Sequence, residues 1–239
     1  MIVCDHAGRL LPRSLGTLGL TEDELGRHIA WDIGAGAVAR RLAGALDGCV
    51  VWQRYSRLVI DCNRPIGAID SIVTRSERTV IPANLSLPPR EATVRAKEIF
   101  EPYHDAIRRT LDFREALGRP TILVAMHTFT PTYLDTPRPW HVGVLYNRDA
   151  RLAERVLPLL REGELVVGDN KPYAATVLTD FSIVHHGERR ALPHVELEVR
   201  QDLVADEEGQ SAWADRLAGV LTAAVRGSPM LALAKSPVR

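Results

Sequence analysis

Several absences narrow what this chain can do. Neither charge is in excess, because 30 Lys and Arg face 30 Asp and Glu over 239 residues. No overall field therefore draws the protein to nucleic acid or to an anionic membrane. Aromatic residues are scarce at 5%, and no basic stripe with interleaved aromatics is present, so a nucleic-acid partner is not expected. No apolar run approaches the roughly 18 residues of a membrane span. A basic start followed by an apolar stretch and a small-residue cleavage site is also missing. The three cysteines, Cys4, Cys49 and Cys62, are odd in number and widely spaced in apolar runs. They give no disulfide framework and fit reduced thiols in a cytoplasmic protein. What remains is 46% hydrophobic residues, enough for a full core in a chain of this length.

The apolar residues are arranged as short β-branched runs alternating with longer helical segments. Strands are expected at Ile2–Cys4, Val50–Trp52, Leu58–Ile60, Thr121–Met126, Val142–Leu145, Ile183–Val184 and Val195–Val199. Thr21 and Glu24 form a capping box that opens a helical stretch to Leu46, with Gly34 and Gly36 allowing a break. Pro88-Pro89 opens another helix, in which Pro102 should produce a kink or a split. Asp149–Arg161 and Gln210–Val225 complete the helices. Such alternation indicates an α/β fold with helices on both faces of a sheet. With no internal repeat and no linker, a single domain is expected over residues 1–225, followed by a mobile tail at 226–239.

Ligands of open α/β sheets bind at the carboxyl ends of strands. Reading those ends in order gives His6, then Asp61-Cys62-Asn63-Arg64, then His127, then Glu198 and Arg200 on one face of the last strand. That inventory suits a metal-activated water attacking a carbonyl beside an anion-binding arginine. Each element alone also has a plain structural explanation. A histidine at a strand end is commonly just hydrogen-bonded, Arg64 could pair with Asp61, and Glu196 with Glu198 could be a solvated strand face. His28 and Asp32, four apart, share a face if their helix continues. Cys4 in its apolar strand belongs to a core.

Longer segments carry a resemblance. Cys4-Asp5-His6-Ala7-Gly8, the run His28–Ala35, the run Ser56–Pro65 and His127-Thr128-Phe129-Thr130-Pro131 resemble the N-formylglutamate amidohydrolase family. So do Arg138–Gly143, Gly168–Tyr173 and Glu198–Leu203, in family order over nearly the whole chain. The resemblance implies a fold like that of zinc carboxypeptidases and aspartoacylases, a phosphorylase/hydrolase-like (zinc exopeptidase-like) mixed sheet flanked by helices. It implies Zn2+ held by His6 and His127, with Glu198 as general base and Arg57 polarising the scissile carbonyl. Asn63 and Arg64 would bind a substrate carboxylate and Tyr173 would close over the substrate. The implied reaction is hydrolysis of a small acidic N-acyl amino acid, N-formylglutamate yielding formate and glutamate.

Two departures accompany the resemblance. The carboxylate ligand of those relatives lies three residues after the first histidine, where this chain has Arg9. Asp32 is the expected substitute and His28 the runner-up. The first strand begins at Met1, without the usual leader, so a truncated start or a weakened metal site is a further expectation. The alternatives are an enzyme of the same scaffold acting on another N-acyl amino acid or short peptide, and a metal-free binding member. Oligomeric state is not legible in the sequence.

Overall fold

The computed structural model describes residues 1–226. In chain order the strands are β1 (Ile2–Cys4), β2 (Val50–Trp52), β3 (Arg75–Ser76), β4 (Thr79–Val80), β5 (Leu123–Phe129), β6 (Thr132–Tyr133), β7 (Thr136–Pro137), β8 (Val142–Leu145), β9 (Val167–Asp169) and β10 (His194–Arg200). The helices are α1 (Glu22–Gly26), α2 (Ala35–Ala45), α3 (Pro89–Arg95), α4 (Glu101–Ala116), α5 (Ala153–Arg161) and α6 (Glu207–Val225). Six strands make one sheet in the order β2-β1-β5-β10-β8-β9. The first four of that order run parallel, while β8 pairs antiparallel with β10 and carries β9 parallel beside it. The sheet is thus mixed, as expected. β3-β4 and β6-β7 are separate two-stranded hairpins.

Side-chain alternation along the strands divides the core into two layers. Ile2, Cys4, Val124, Met126, Val195, Leu197 and Val199 face α2, α5 and α6. Val3, Leu123 and Ala125 face the other layer, which includes Ile99, Phe100, Tyr103 and Ile107. On α6 the buried Trp213, Ala214, Leu217, Ala218, Leu221 and Ala224 form the stripe expected of an amphipathic helix.

Several elements differ from the sequence expectation. Leu58–Ile60 is not a strand but buried turns, so Asp61-Cys62-Asn63-Arg64 does not follow a strand end. Its carbonyls are satisfied by side chains instead: Asn84 Nδ2 donates to Leu58 O at 2.8 Å and Arg95 Nη1 to Val59 O at 2.9 Å. Ile183–Val184 lies in a π turn, Ile183–Gly187, rather than a strand. The Thr21 capping box is present, but α1 stops at Gly26. α2 begins only after Gly34, whose φ of 82° is left-handed and whose added Cβ would meet Val204 O at 2.4 Å. Consequently His28 and Asp32 do not share a helical face. Pro102 does not split its helix: α3 passes into α4 through a π turn at Ala96–Phe100 just before it. Short β9 and the two hairpins escaped prediction because runs of two or three residues carry no usable period. The expected tail, Arg226 apart, lies outside the described residues.

Candidate active site

The site lies at the carboxyl ends of β1, β5 and β10, over the second core layer. β5 carries His127, and the β5–β10 register places Glu198 directly beside it. Glu196 lies two residues earlier on the same face. His6 follows β1 in a turn, and the backbone N–H of Asp32 donates to His6 O at 2.9 Å. That bond fixes the link before α2 against the end of β1. Arg57 is held similarly, its N–H donating to Ala30 O at 3.2 Å. His6, Asp32, Asp61, His127, Glu196 and Glu198 are all buried.

Within this cluster the two histidines have matching arrangements. His6 Nε2 lies 2.7 Å from Asp61 Oδ1, and His127 Nε2 lies 3.0 Å from Asp5 Oδ2. Their Nδ1 atoms converge on one oxygen, Asp32 Oδ2, at 3.4 Å from His6 and 2.9 Å from His127. The outer carboxylates are themselves held. Ser182 Oγ donates to Asp5 Oδ1 at 2.5 Å, and Arg57 Nη2 donates to Asp61 Oδ2 at 2.6 Å. Arg57 Nη1 points at His6 Nδ1, 3.2 Å away. A guanidinium can only donate, so that contact is a hydrogen bond only in the form of His6 whose Nδ1 carries a lone pair.

The electrostatics show a site that demands positive charge. Burial and Arg57 oppose protonation of His6, yet Asp61 and Asp32 outweigh them and raise its pKa. Burial likewise opposes charge on His127, and Glu196, Asp32 and Asp5 more than compensate. Asp32 is held well below the usual carboxylate range despite its burial by the two imidazoles. Asp5 is lowered to about 2 in the same way by His127 and Ser182. Glu198 behaves oppositely: burial lifts its carboxyl to about 7, and its Oε2 is buried with no hydrogen-bond partner.

This donor set fits a metal ion. Ligand atoms of His6, Asp32 and His127 all lie within 4.8 Å of one another. Two imidazoles and a carboxylate are a common ligand set for zinc. Carboxylates on the outer ring nitrogens are the usual means of fixing a metal-binding tautomer, and Asp61 and Asp5 stand where such carboxylates would be. His28, the alternative third ligand, points elsewhere, pairing with Glu77 Oε1 at 3.2 Å. Arg9 also leaves the cluster, its guanidinium lying 5.7 Å from the Trp31 ring centre.

The family model of N-formylglutamate amidohydrolase matches residues 1–205. The chain belongs to that family. It is therefore an amidohydrolase, a hydrolase acting on amides. A solved structure, gene product Atu2144 from Agrobacterium tumefaciens, is 37% identical with a TM-score of 0.92, over 95% of this chain and 90% of that one. The N-formylglutamate amidohydrolase from Ralstonia eutropha JMP134 is 18% identical, with a TM-score of 0.67 over 98% of this chain and 92% of that one, and shares the fold. No curated protein matches the sequence.

Within this family member the other expected site residues occupy distinct settings. Asn63 is buried, its Nδ2 lying 3.4 Å from Asp180 Oδ1 and 3.5 Å from Glu196 Oε2, while its Oδ1 accepts from Ser182 N–H at 3.0 Å. It braces the loop rather than facing solvent. Arg64 does not pair with Asp61. Its Nε donates to Asp70 at 2.6 Å and its Nη1 to the carbonyls of Asn63 and Thr179, leaving Nη2. Tyr173 stands at the rim, and its hydroxyl accepts from Arg138 Nη1 at 2.8 Å. Arg200 leaves the cluster and pairs with Asp202 at 2.8 Å. Sequence reasoning missed Asp5, Ser182 and the bracing role of Asp61. Asp5 had a signal, because it shares the face of Val3 and hence of His127.

Proposed function

We propose that this chain is a zinc-dependent amidohydrolase that cleaves N-formylglutamate, or a closely similar acidic N-acyl amino acid, to the acid and the free amino acid. The observation that carries this is the convergence of His6 Nδ1, His127 Nδ1 and Asp32 on one point, with Arg57 and Glu198 beside it. His6, Asp32 and His127 would hold the ion. Lewis-acid polarisation and a water acidic enough to attack near neutral pH are what zinc supplies when bound.

The chain's own groups do the remainder. Glu198, its carboxyl lifted towards neutrality by burial, accepts the proton of the attacking water and returns it to the departing nitrogen. Arg57, already aimed at His6 Nδ1, donates to the oxygen that gains charge as the carbonyl becomes tetrahedral. Arg64 offers its free Nη2 to a substrate carboxylate, with Asn63 fixing the loop that presents it. Tyr173 covers the bound substrate from the rim. For N-formylglutamate the products are formate and glutamate. Residues 1–225 act as one domain, and the free thiols suit the reducing cytoplasm.

A panel of N-acyl amino acids, assayed with and without added zinc, tests this reading. N-formylglutamate should be hydrolysed best and only by metal-loaded protein. Turnover of neutral N-formyl amino acids at an equal or higher rate would overturn the substrate, and turnover without metal would overturn the cofactor.

A further inference from the structure

Arg138 has no acidic partner among the described residues, unlike Arg57 and Arg64. Arg57 pairs with Asp61 and Arg64 with Asp70. Arg138 is instead held by aromatic rings, its guanidinium carbon 4.7 Å from the centre of Tyr133, 4.8 Å from Tyr173 and 5.9 Å from Phe129. Ring faces hold a cation without consuming its N–H donors. Only Nη1 is spent, on the Tyr173 hydroxyl. A half-buried guanidinium is thus held in place and left without an acidic partner.

Its place relative to the chemistry is fixed by β5. Phe129, under Arg138, lies two residues beyond His127 on the same sheet face, about 7 Å along the strand. Tyr173 connects the two regions: burial and Glu198 raise its phenol, while Arg138 and Arg57 pull it down. In an N-formyl amino acid the α-carboxylate carbon is about three bonds from the scissile carbonyl carbon. The side-chain carboxylate carbon of glutamate is about five bonds away, on the order of 6 Å when extended.

We infer that Arg138, caged by Tyr133, Tyr173 and Phe129, reads the distal carboxylate of a dicarboxylic N-acyl amino acid. This rests on the proposed amidohydrolase reaction and deepens it. Arg64 takes the near carboxylate and Arg138 the far one, so two separated cations select a dicarboxylate over its neutral relatives.

The test compares N-formylglutamate with N-formylglutamine on wild-type, Arg138→Met and Arg138→Lys proteins loaded with zinc. A charge-assisted contact of this kind corresponds to about 10- to 100-fold in affinity. Arg138→Met should raise KM for N-formylglutamate by about that factor, with most of the loss in KM rather than kcat. The loss for N-formylglutamine should be a few-fold at most, and Arg138→Lys should recover part of the preference. Equal losses on both substrates would mean that Arg138 only pins the β6-β7 hairpin, and unchanged preference would also overturn the inference. Calorimetric binding of glutarate to the same proteins separates the two proposals. Glutarate binding that weakens about 10-fold or more in Arg138→Met supports the subsite even if N-formylglutamate is not turned over. Binding that is absent, or indifferent to the substitution, overturns it.

Discussion

Single side chains carry the sharpest expectations. Glu198→Gln keeps the shape but can neither accept nor return a proton, so kcat should fall about 10²- to 10⁴-fold. The same variant should retain its metal by elemental analysis. Glu196, two residues earlier, lies against Asn63 and within 4.0 Å of His127 Nε2, so Glu196→Gln should cost less; a larger loss there would move the base role. Asp32→Ala should strip metal, because the Nδ1 atoms of both histidines meet on its oxygen. His28→Ala should leave metal content intact, since His28 faces Glu77. Asp61→Asn is subtler: it weakens the hold on His6 Nε2 and on Arg57 together, and metal affinity should drop about 10- to 100-fold by competition with a chelating dye. The candidate ligands His6 and His127 were legible from strand-end position, and Asp32 only from its family-like neighbours. The carboxylates behind them were not, because a buried acid that orients a ligand looks in sequence like any other acid.

Among the elements, the links and turns decide more than the strands do. Gly34 is the only residue type that fits its left-handed φ and the close approach of Val204 O. Gly34→Ala should therefore lower the melting temperature and, because it follows Asp32, reduce metal occupancy as well. Behind the site, α4 meets the π turn at Ile183–Gly187 through two buried histidines, with His104 Nδ1 lying 3.0 Å from His186 Nε2 and His104 Nε2 2.8 Å from Cys62 O. Burial lowers the pKa of His104 to about 4 and that of His186 to about 3. Unfolded imidazoles protonate near their ordinary value of 6.5. Between that pH and about 4 the unfolded chain thus binds more protons, and stability is lost as pH falls through the window. Thermal melts from pH 7 to 4 should show this decline, and His186→Gln should flatten it; an unchanged slope would remove the pair as its cause. The strands Ile2–Cys4, Val50–Trp52 and Val142–Leu145 were readable from their β-branched runs. Leu58–Ile60 was not, since an apolar run in buried turns looks the same as a strand until its carbonyls find Asn84 and Arg95.

At the level of the whole molecule, the mixed sheet brings together residues separated by most of the chain. His6, His127 and Glu198 converge because β1, β5 and β10 are neighbours in the sheet, and Asp32 joins them through its N–H bond to His6 O. The family and the α/β class were visible in sequence, whereas the antiparallel β8 and the aromatic cage of Arg138 depend on long-range pairing that no local pattern encodes. Metal binding should couple to global stability, because the proposed ligands His6, Asp32 and His127 come from three separate segments. Zinc at about 100 times its dissociation constant should add about 2.7 kcal/mol, seen as a higher melting temperature that a chelator reverses. Among the described residues no helix is long and apolar enough to cross a membrane. The most direct measurement is formate release from N-formylglutamate while zinc is titrated into chelator-stripped protein. The expected result is no hydrolysis at the start and a rate that saturates at about one equivalent of zinc per chain. Full hydrolysis by the stripped protein, or none at any zinc level, would contradict a zinc centre at His6, Asp32 and His127 acting on this amide.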